Sequence, residues 1–167
     1  MENLSRRLRI GVMGAGMVTS DGYTLAEEVG RRIAEAGAIL ICGGMGGVME
    51  AAAKGAKSKG GLVIGILPTA DENDANPYID IPIVTGIGHA RNLINIYTSH
   101  AIIAVQGEYG TLSEIAFALK CRKPVIALNT WRLDMIGCSD QNFVVASSPA
   151  EAVQKAISMA KTIHNLL

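Results

Sequence analysis

The chain has 167 residues, of which 15 are basic and 15 acidic, so its formal net charge at pH 7 is zero. This balance lacks the clustered positive face of nucleic-acid binders, and we expect no nucleic-acid partner. A hydrophobic share of 49% and a charged share of 18% exclude a disordered chain. The length suits one domain over residues 1–167.

No apolar run reaches the length of a membrane span, so we predict no membrane association. The cysteines, Cys42, Cys121 and Cys138, are widely scattered and show neither a CxxC motif nor a His/Cys spacing. We therefore predict no metal site, reduced thiols and a cytoplasmic location.

Short apolar runs alternate with helical patterns along the chain. In chain order the predicted elements are strand Leu8–Met13, helix Ser20–Ala36, strand Ala38–Cys42, a helix after Gly47 to about Lys59, strand Leu62–Leu67, a polar loop Pro68–Tyr78, strand Ile81–Val84, helix Gly88–Ser99, strand Ala101–Val105, a helix after Gly110, strands Pro124–Leu128 and Phe143–Ala146, and a helix opening at Ser148. This alternation without a linker predicts a single Rossmann-like α/β domain, doubly wound around a mainly parallel sheet of about seven strands.

Three glycine-rich segments follow predicted strands. They are Gly14-Ala15-Gly16, Gly43-Gly44-Met45-Gly46-Gly47 and Gly107-Glu108-Tyr109-Gly110-Thr111. In parallel sheets ligands bind at the carboxyl ends of the strands. Glycine lets backbone N–H groups wrap an anion there, and a helix N-terminus adds further donors. One such turn can be purely structural, but three at one edge predict a site for a phosphate-bearing small molecule.

Two familiar phosphate motifs are absent. No Gly-Lys-Ser/Thr follows any glycine segment, which excludes the phosphate loop of the NTPases. The dinucleotide fingerprint is also missing, because Cys42 stands where an acidic residue should end the second strand. NAD is therefore disfavoured, whereas another nucleotide remains a candidate ligand.

Arg91 and Glu114 are the candidate charged pair. Each lies near the start of a predicted helix, and adjacent parallel strands would bring both helix starts to the ligand edge. Arg91 is suited to clamp a phosphate, and Glu114 to accept a hydrogen bond from a ribose hydroxyl or to stabilise an oxocarbenium-like centre. The structural alternative is a helix-start ion pair.

These motifs carry a family resemblance. The segments Gly43–Glu50 and Gly61–Pro68 resemble the LOG superfamily, once labelled lysine decarboxylase-like, and the stretch from Arg91 to Glu114 is similar to its arginine and Pro-Gly-Gly-x-Gly-Thr-x-x-Glu motifs. The resemblance implies a phosphoribohydrolase that releases a base from a nucleoside 5'-monophosphate, with Arg91 and Glu114 catalytic. It also implies a homodimer or homotetramer. No residue pattern supports lysine decarboxylation.

The chain departs from the LOG motifs near the expected phosphate. Asn92 replaces a lysine, Gln106-Gly107-Glu108 replaces Pro-Gly-Gly, and His100 replaces the aspartate of an Ala-Asp-Ala segment. Asn92 and Glu108 both lower the positive charge of the site. The segments Ala75–Asp80 and Thr85–Asn92 look more like the short branch that contains molybdenum-cofactor carrier proteins, which bind a pterin phosphate.

Three hypotheses follow for this site. The first is binding of a nucleotide or a molybdopterin-type cofactor at the glycine-rich loops. The alternative is a LOG-type phosphoribohydrolase, an N-glycosidic hydrolase acting on nucleoside monophosphates. A second alternative is a non-catalytic interaction domain.

Overall fold

A computed structural model describes residues 7–133 and 140–164, so Cys138 lies outside the described residues. The strands are β1 (Arg9–Gly14), β2 (Ile39–Cys42), β3 (Val63–Leu67), β4 (Ile81–Val84), β5 (Ala101–Val105), β6 (Val125–Leu128) and β7 (Phe143–Ala146). The α-helices are α1 (Ser20–Glu35), α2 (Val48–Lys57), α3 (Asn92–Thr98), α4 (Tyr109–Lys120) and α5 (Pro149–His164).

The seven strands form one sheet in the order β4-β3-β2-β1-β5-β6-β7, and every pairing is parallel. Ile10 of β1 lies between Leu40 of β2 and Ala101 of β5. The chain runs outward from β1 to one edge and then returns to β5 and runs to the other edge. The predicted doubly wound α/β fold is confirmed, and its direction reverses between β1 and β5, where such folds bind ligands.

Helices cover both faces of the sheet. Buried residues of α1, α2 and α5 pack in one core cluster, and those of α3 and α4 pack in another. The α1–α2 contact is close because Gly30 and Gly55 let the two backbones touch, and a Cβ at Gly30 would meet the backbone of Ala52. Small side chains therefore bring α2 tightly against α1, which fixes where the first turn of α2 lies.

Two predicted helices begin differently in the structure. The predicted helix Gly88–Ser99 is a 3-10 turn over Gly88–Arg91 followed by α3, since Gly88 has a φ of +59°, outside the α-helical region. The helix expected after Gly110 begins at Tyr109, which places Gly110 and Thr111 in its first turn. The polar segment 68–78 is largely irregular but contains a 3-10 turn over Glu72–Asp74, capped by Asp71.

Candidate functional site

A cavity of about 470 Å³ opens at the carboxyl edge of the sheet beside β1 and β2. It lies at the switch point between β1 and β5 and draws residues from all three glycine-rich segments. The predicted site residues that line it are Gly14, Gly16, Gly43, Met45, Gly46, Arg91, Glu108, Gly110, Thr111 and Glu114. The structure therefore brings together segments that are separated by up to about a hundred residues of sequence.

Gly44, Gly47, Gly107 and Tyr109 were predicted to bind the ligand but are not among the residues that line the cavity. The three glycines have φ values of +75°, +65° and +109°, a region that other residues rarely adopt, so the shape of the loops requires glycine there. A Cβ at Gly47 would also collide with the carbonyl oxygens of the first glycine segment. Tyr109 instead packs against a tryptophan beside the cavity.

Two of the lining glycines have no packing reason to be glycine. No heavy atom lies within 4 Å of the position that a Cβ would take at Gly16 or at Gly110. At Gly46 the nearest atom would be the carbonyl oxygen of Gly16 at 3.6 Å, which is an ordinary contact. The missing side chains leave open space at these two lining residues, so that a ligand can approach the backbone.

The first and second glycine segments are joined to each other and to the polar loop. The backbone N–H of Val48 donates to the carbonyl oxygen of Ala15 at 3.0 Å. The Asn76 side chain donates to the carbonyl oxygens of Gly44 at 3.1 Å and Met45 at 2.8 Å. In a trans peptide the N–H opposes the C=O. The N–H groups of Met45 and Gly46 therefore point away from Asn76, and both residues line the cavity.

The third glycine segment is tied to its neighbours by side chains. Gln106, in the left-handed region with a φ of +50°, donates from Nε2 to the hydroxyl of Thr19 at 3.1 Å. Its carbonyl oxygen accepts a hydrogen bond from the hydroxyl of Thr130. The indole N–H of Trp131 donates to the carbonyl oxygen of Glu108 at 3.2 Å. The loop after β6 thus supports the start of α4.

Arg91 is the charged group buried in the cavity wall. It is 8% exposed, and its guanidinium lies against Gly43, where a Cβ would overlap Nη1. Among the described residues, Nε and Nη1 of Arg91 are buried without a hydrogen-bond partner. Burial lowers the pKa of the guanidinium, and the nearby carboxyl group of Glu114 opposes that shift. An arginine remains charged at neutral pH, so the cavity contains a cation with unused donors.

Glu114 lies in the second turn of α4 and is 6% exposed. Asn95 donates to Oε1 of Glu114 at 3.3 Å, and the described residues place no ion pair between Glu114 and Arg91. Burial raises the pKa of Glu114 to about 7, against the opposing effects of the Asn95 hydrogen bond and the Arg91 charge. Near neutral pH Glu114 is therefore only partly ionised and leaves part of the Arg91 charge unbalanced.

Two of the helices that start at the cavity, α2 and α4, lack side-chain caps. Thr19 caps α1 by accepting from the N–H of Gly22, but within the described residues neither Gly47 of α2 nor Glu108 of α4 makes a side-chain cap. Uncapped first turns present N–H donors and the positive end of the helix dipole. These two helix starts therefore add to the attraction that Arg91 exerts on an anion.

Several residues that shape this site were not predicted to bind the ligand, although Ala15 and Asn92 stand in segments that the sequence placed beside it. The further lining residues are Val12, Met13, Ala15, Met49, Pro68, Gly88, His89 and Asn92. Asn95 was also missed, although its spacing of four residues from Arg91 on one helical segment was a usable signal. Most of the others follow or precede a selected residue in the chain and carry no chemical signature of their own.

Neither a metal centre nor a membrane span emerges from the described residues. Within residues 7–133 and 140–164, no cluster of three or more His, Cys, Asp or Glu side chains is arranged to hold a metal ion. In the same ranges, no helix combines the length and the apolar character needed to cross a bilayer.

Comparisons with known proteins agree on the family. The profile of the SLOG cluster4 family matches residues 7–163. An uncharacterized protein of Archaeoglobus fulgidus is 49% identical over 151 residues, which cover 90% of this chain and 95% of that protein. Two solved structures match this chain over nearly the full length of both proteins. The molybdenum cofactor binding protein of Rippkaea orientalis is 42% identical, with a TM-score of 0.84 over 95% of this chain and 98% of that one.

The second structure is the molybdenum cofactor carrier protein of Chlamydomonas reinhardtii, which is 38% identical with a TM-score of 0.83. The alignment covers 93% of this chain and 99% of that one. The predicted resemblance to the LOG superfamily, near its molybdenum-cofactor carrier branch, is confirmed. The chain belongs to the SLOG cluster4 family.

Proposed function

We propose that this protein binds a molybdopterin-type cofactor in the cavity and holds it as cargo without changing it chemically. Two relatives of known structure, 42% and 38% identical, are a molybdenum cofactor binding protein and a molybdenum cofactor carrier protein. The observation that carries the proposal within this chain is Arg91, whose buried Nε and Nη1 atoms have no hydrogen-bond partner among the described residues.

Buried donors without partners are costly, and a charged group makes them more so. A phosphate that meets the Arg91 guanidinium from the cavity would balance this buried charge, and a small movement of the side chain would bring the buried donors to its oxygens. The uncapped starts of α2 and α4 favour the same negative charge. We therefore assign the anionic end of the ligand to the Arg91 side of the cavity.

The residues present also fit a ligand of this size. The cavity volume of about 470 Å³ lies within the common range for small-molecule sites, about 300–1,000 Å³. Open space at Gly16 and Gly110 leaves room for the body of the ligand. When bound, molybdopterin supplies the sulfur ligands that hold molybdenum, whereas the side chains of this protein bind and orient the organic part.

Binding is tested by incubating the protein with molybdopterin released from a molybdoenzyme and separating bound from free pterin by gel filtration. Pterin fluorescence after oxidation measures the amount bound. We expect pterin to elute with the wild-type protein and to be largely lost in Arg91→Ala. The matched control is Arg31→Ala, which changes an arginine that pairs with Glu28 on α1, away from the cavity lining.

Two results would contradict the proposal. Wild-type protein that elutes free of pterin at concentrations of both partners well above micromolar would exclude a carrier function. Equal retention by wild type and Arg91→Ala would leave binding in place but remove Arg91 as its anchor. Circular dichroism of each variant establishes that the fold is intact in both comparisons.

The buried Glu114 favours a second candidate, the phosphoribohydrolase. A carboxyl group with a pKa of about 7 beside an arginine can accept a proton from water or stabilise positive charge on a ribose ring. In that reaction water adds to the ribose C1' atom, the C–N bond breaks, and the base leaves with a proton. AMP and water would then give adenine and ribose 5-phosphate.

Chromatography of AMP incubated with the protein separates this candidate from the carrier. The carrier function predicts intact AMP. Adenine released by wild type but not by Glu114→Gln would instead establish hydrolysis. A protein that neither retains pterin nor releases adenine would favour the non-catalytic interaction domain.

A further inference from the structure

An aromatic pair stands beside the cavity, where the loop after β6 meets the start of α4. The ring centroids of Tyr109 and Trp131 are 5.8 Å apart, and the ring planes are inclined by 34°. This separation lies within the range of favourable aromatic pairs. Aromatic residues make up only 4% of the chain, and Trp131 is its single tryptophan. Two of its few aromatic side chains are thus placed together at this position.

Trp131 is held in place by hydrogen bonds to the loop that leads into α4. Its indole N–H donates to the carbonyl oxygen of Glu108 at 3.2 Å. The neighbouring Thr130 donates through its hydroxyl to the carbonyl oxygen of Gln106. Both acceptors belong to the loop that leads into α4, so the indole is fixed relative to the first turn of that helix. Trp131 therefore gives Tyr109 a rigid surface to pack on.

Tyr109 stays largely open to its surroundings in spite of this contact. Its side chain is 79% exposed. Glu108 and Gly110, on either side of it in the chain, line the cavity. No heavy atom lies within 4 Å of where a Cβ would stand at Gly110. The exposed phenol ring thus belongs to a residue that stands between two cavity-lining residues in the chain.

We infer that Tyr109, backed by Trp131, is the surface on which the conjugated ring of the ligand stacks. The inference rests on the proposed function and divides the ligand between two subsites. The Arg91 side of the cavity holds the anionic end, and the aromatic pair holds the planar end. Tyr109 contacts the ring directly, whereas Trp131 is a positioning residue. The site then selects a molecule that carries both a planar conjugated ring and a phosphate.

The single tryptophan provides a direct test. The fluorescence emission of Trp131 is followed while metal-free molybdopterin is added to the full-length protein, and inorganic phosphate serves as a probe that lacks a ring. We expect molybdopterin to quench the Trp131 emission and phosphate to leave it unchanged. If neither probe approaches the aromatic pair, the Trp131 emission should stay unchanged with both.

Substitutions separate stacking from simple proximity. We expect Tyr109→Ala to weaken molybdopterin binding about tenfold or more, as the loss of one aromatic stacking partner typically does. Tyr109→Phe retains the ring and should bind as wild type does. Trp131→Phe removes the hydrogen bond to Glu108 but keeps a ring, so we expect a smaller loss, measured by pterin fluorescence. The matched control is Tyr97→Ala, which changes a tyrosine that is 65% exposed and does not line the cavity.

The outcomes are distinguishable from those of the proposed function. If molybdopterin binds equally well to wild type and Tyr109→Ala and leaves the Trp131 emission unchanged, the aromatic subsite is wrong and the carrier function stands. If wild-type protein binds no molybdopterin, the carrier function fails and the aromatic subsite fails with it. Because Tyr109 is exposed, loss of the fold is not expected to obscure either comparison.

Discussion

The guanidinium of Arg91 occupies the space that a side chain on Gly43 would need. Gly43 follows β2 directly, and Arg91 ends the 3-10 turn before α3. We predict that Gly43→Ala displaces the guanidinium and weakens binding of an anionic ligand by about 10- to 100-fold, the range for lost charge-assisted hydrogen bonds. Isothermal titration with molybdopterin measures the loss.

A double-mutant cycle isolates this relationship. If Gly43→Ala acts through Arg91, the double variant with Arg91→Ala should bind no more weakly than Arg91→Ala alone. Additive losses would contradict the relationship. They would mean that the added methyl group blocks the ligand itself.

Gly110 provides a second prediction, in which stability and binding change in opposite directions. It lies in the first turn of α4, and an added Cβ would meet no heavy atom within 4 Å. Gly110→Ala should therefore raise the free energy of unfolding by about 0.4–1 kcal/mol, because it restricts the unfolded chain. The same methyl group projects into space that the ligand needs, so affinity should fall.

Chemical denaturation of the ligand-free protein and titration with molybdopterin measure the two effects of this substitution. Gly107→Ala is the contrasting variant, because Gly107 has a φ of +109° and a Cβ there would meet Thr111. We expect it to lower stability. If Gly110→Ala also destabilised the ligand-free protein, the glycine would be required by the fold itself.

The raised pKa of Glu114 makes stability depend on pH. Burial raises this pKa from 4.5 to about 7, so between these values the folded protein holds a proton that the unfolded chain releases. The free energy of unfolding contributed by Glu114 therefore falls as pH rises from about 4.5 to about 7. The full span corresponds to about 3 kcal/mol.

Glu114→Gln removes this titration and keeps the size of the side chain. Denaturant unfolding at pH 5 and pH 8 should show that wild type loses about 2–3 kcal/mol relative to the variant, because at pH 5 the unfolded chain has already released most of this proton. A constant difference between the two proteins at both pH values would show that Glu114 titrates near its ordinary pKa.

The affinity for an anionic ligand should also depend on the ionisation of Glu114. A bound phosphate would disfavour the ionised form of Glu114, so binding an anion should be accompanied by proton uptake. We predict that the affinity for molybdopterin falls above pH 7 by at most about tenfold per pH unit. Glu114→Gln should remove this dependence and leave only the titration of the ligand, which makes it the reference for the wild-type profile.

Self-association is predicted from an exposed apolar surface that does not belong to the cavity. Four aliphatic side chains of β4 and the segment after it, Ile81, Ile83, Val84 and Ile87, are 40–50% exposed. Exposed apolar groups of this kind are typical of interfaces. We expect analytical ultracentrifugation to give the mass of a homodimer or homotetramer. Ile83→Lys with Ile87→Lys should lower that mass if this segment forms the contact. A monomeric wild type would contradict the prediction.

The fold could be predicted from the sequence because apolar runs and helical periods alternate regularly, and parallel connections restrict the topology to few choices. The loops could be placed for the same reason, since strand ends of a parallel sheet meet at one edge. The helix around Arg91 was predicted less well. The positive φ of Gly88 interrupts a pattern that otherwise indicates one continuous helix.

The details of the site depended on contacts between distant parts of the chain. The burial of Arg91 arises from the absent side chain of Gly43, nearly fifty residues earlier. Trp131 has no motif around it, and only the packing of the loop after β6 against the start of α4 brings it beside Tyr109. Asn95 differs from these residues, because its spacing of four residues from Arg91 is a signal that the sequence itself contains.

The hydrogen bond from Val48 to Ala15 has a consequence for the stiffness of the cavity wall. With Asn76 holding the carbonyl groups of Gly44 and Met45, it joins the first two glycine segments into one stiff wall. The loop before α4 is held instead by side-chain hydrogen bonds, which include those from Thr130 and Trp131. We therefore expect the hydrogen-bonded amide hydrogen of Val48 to exchange more slowly than the uncapped first amide hydrogens of α4.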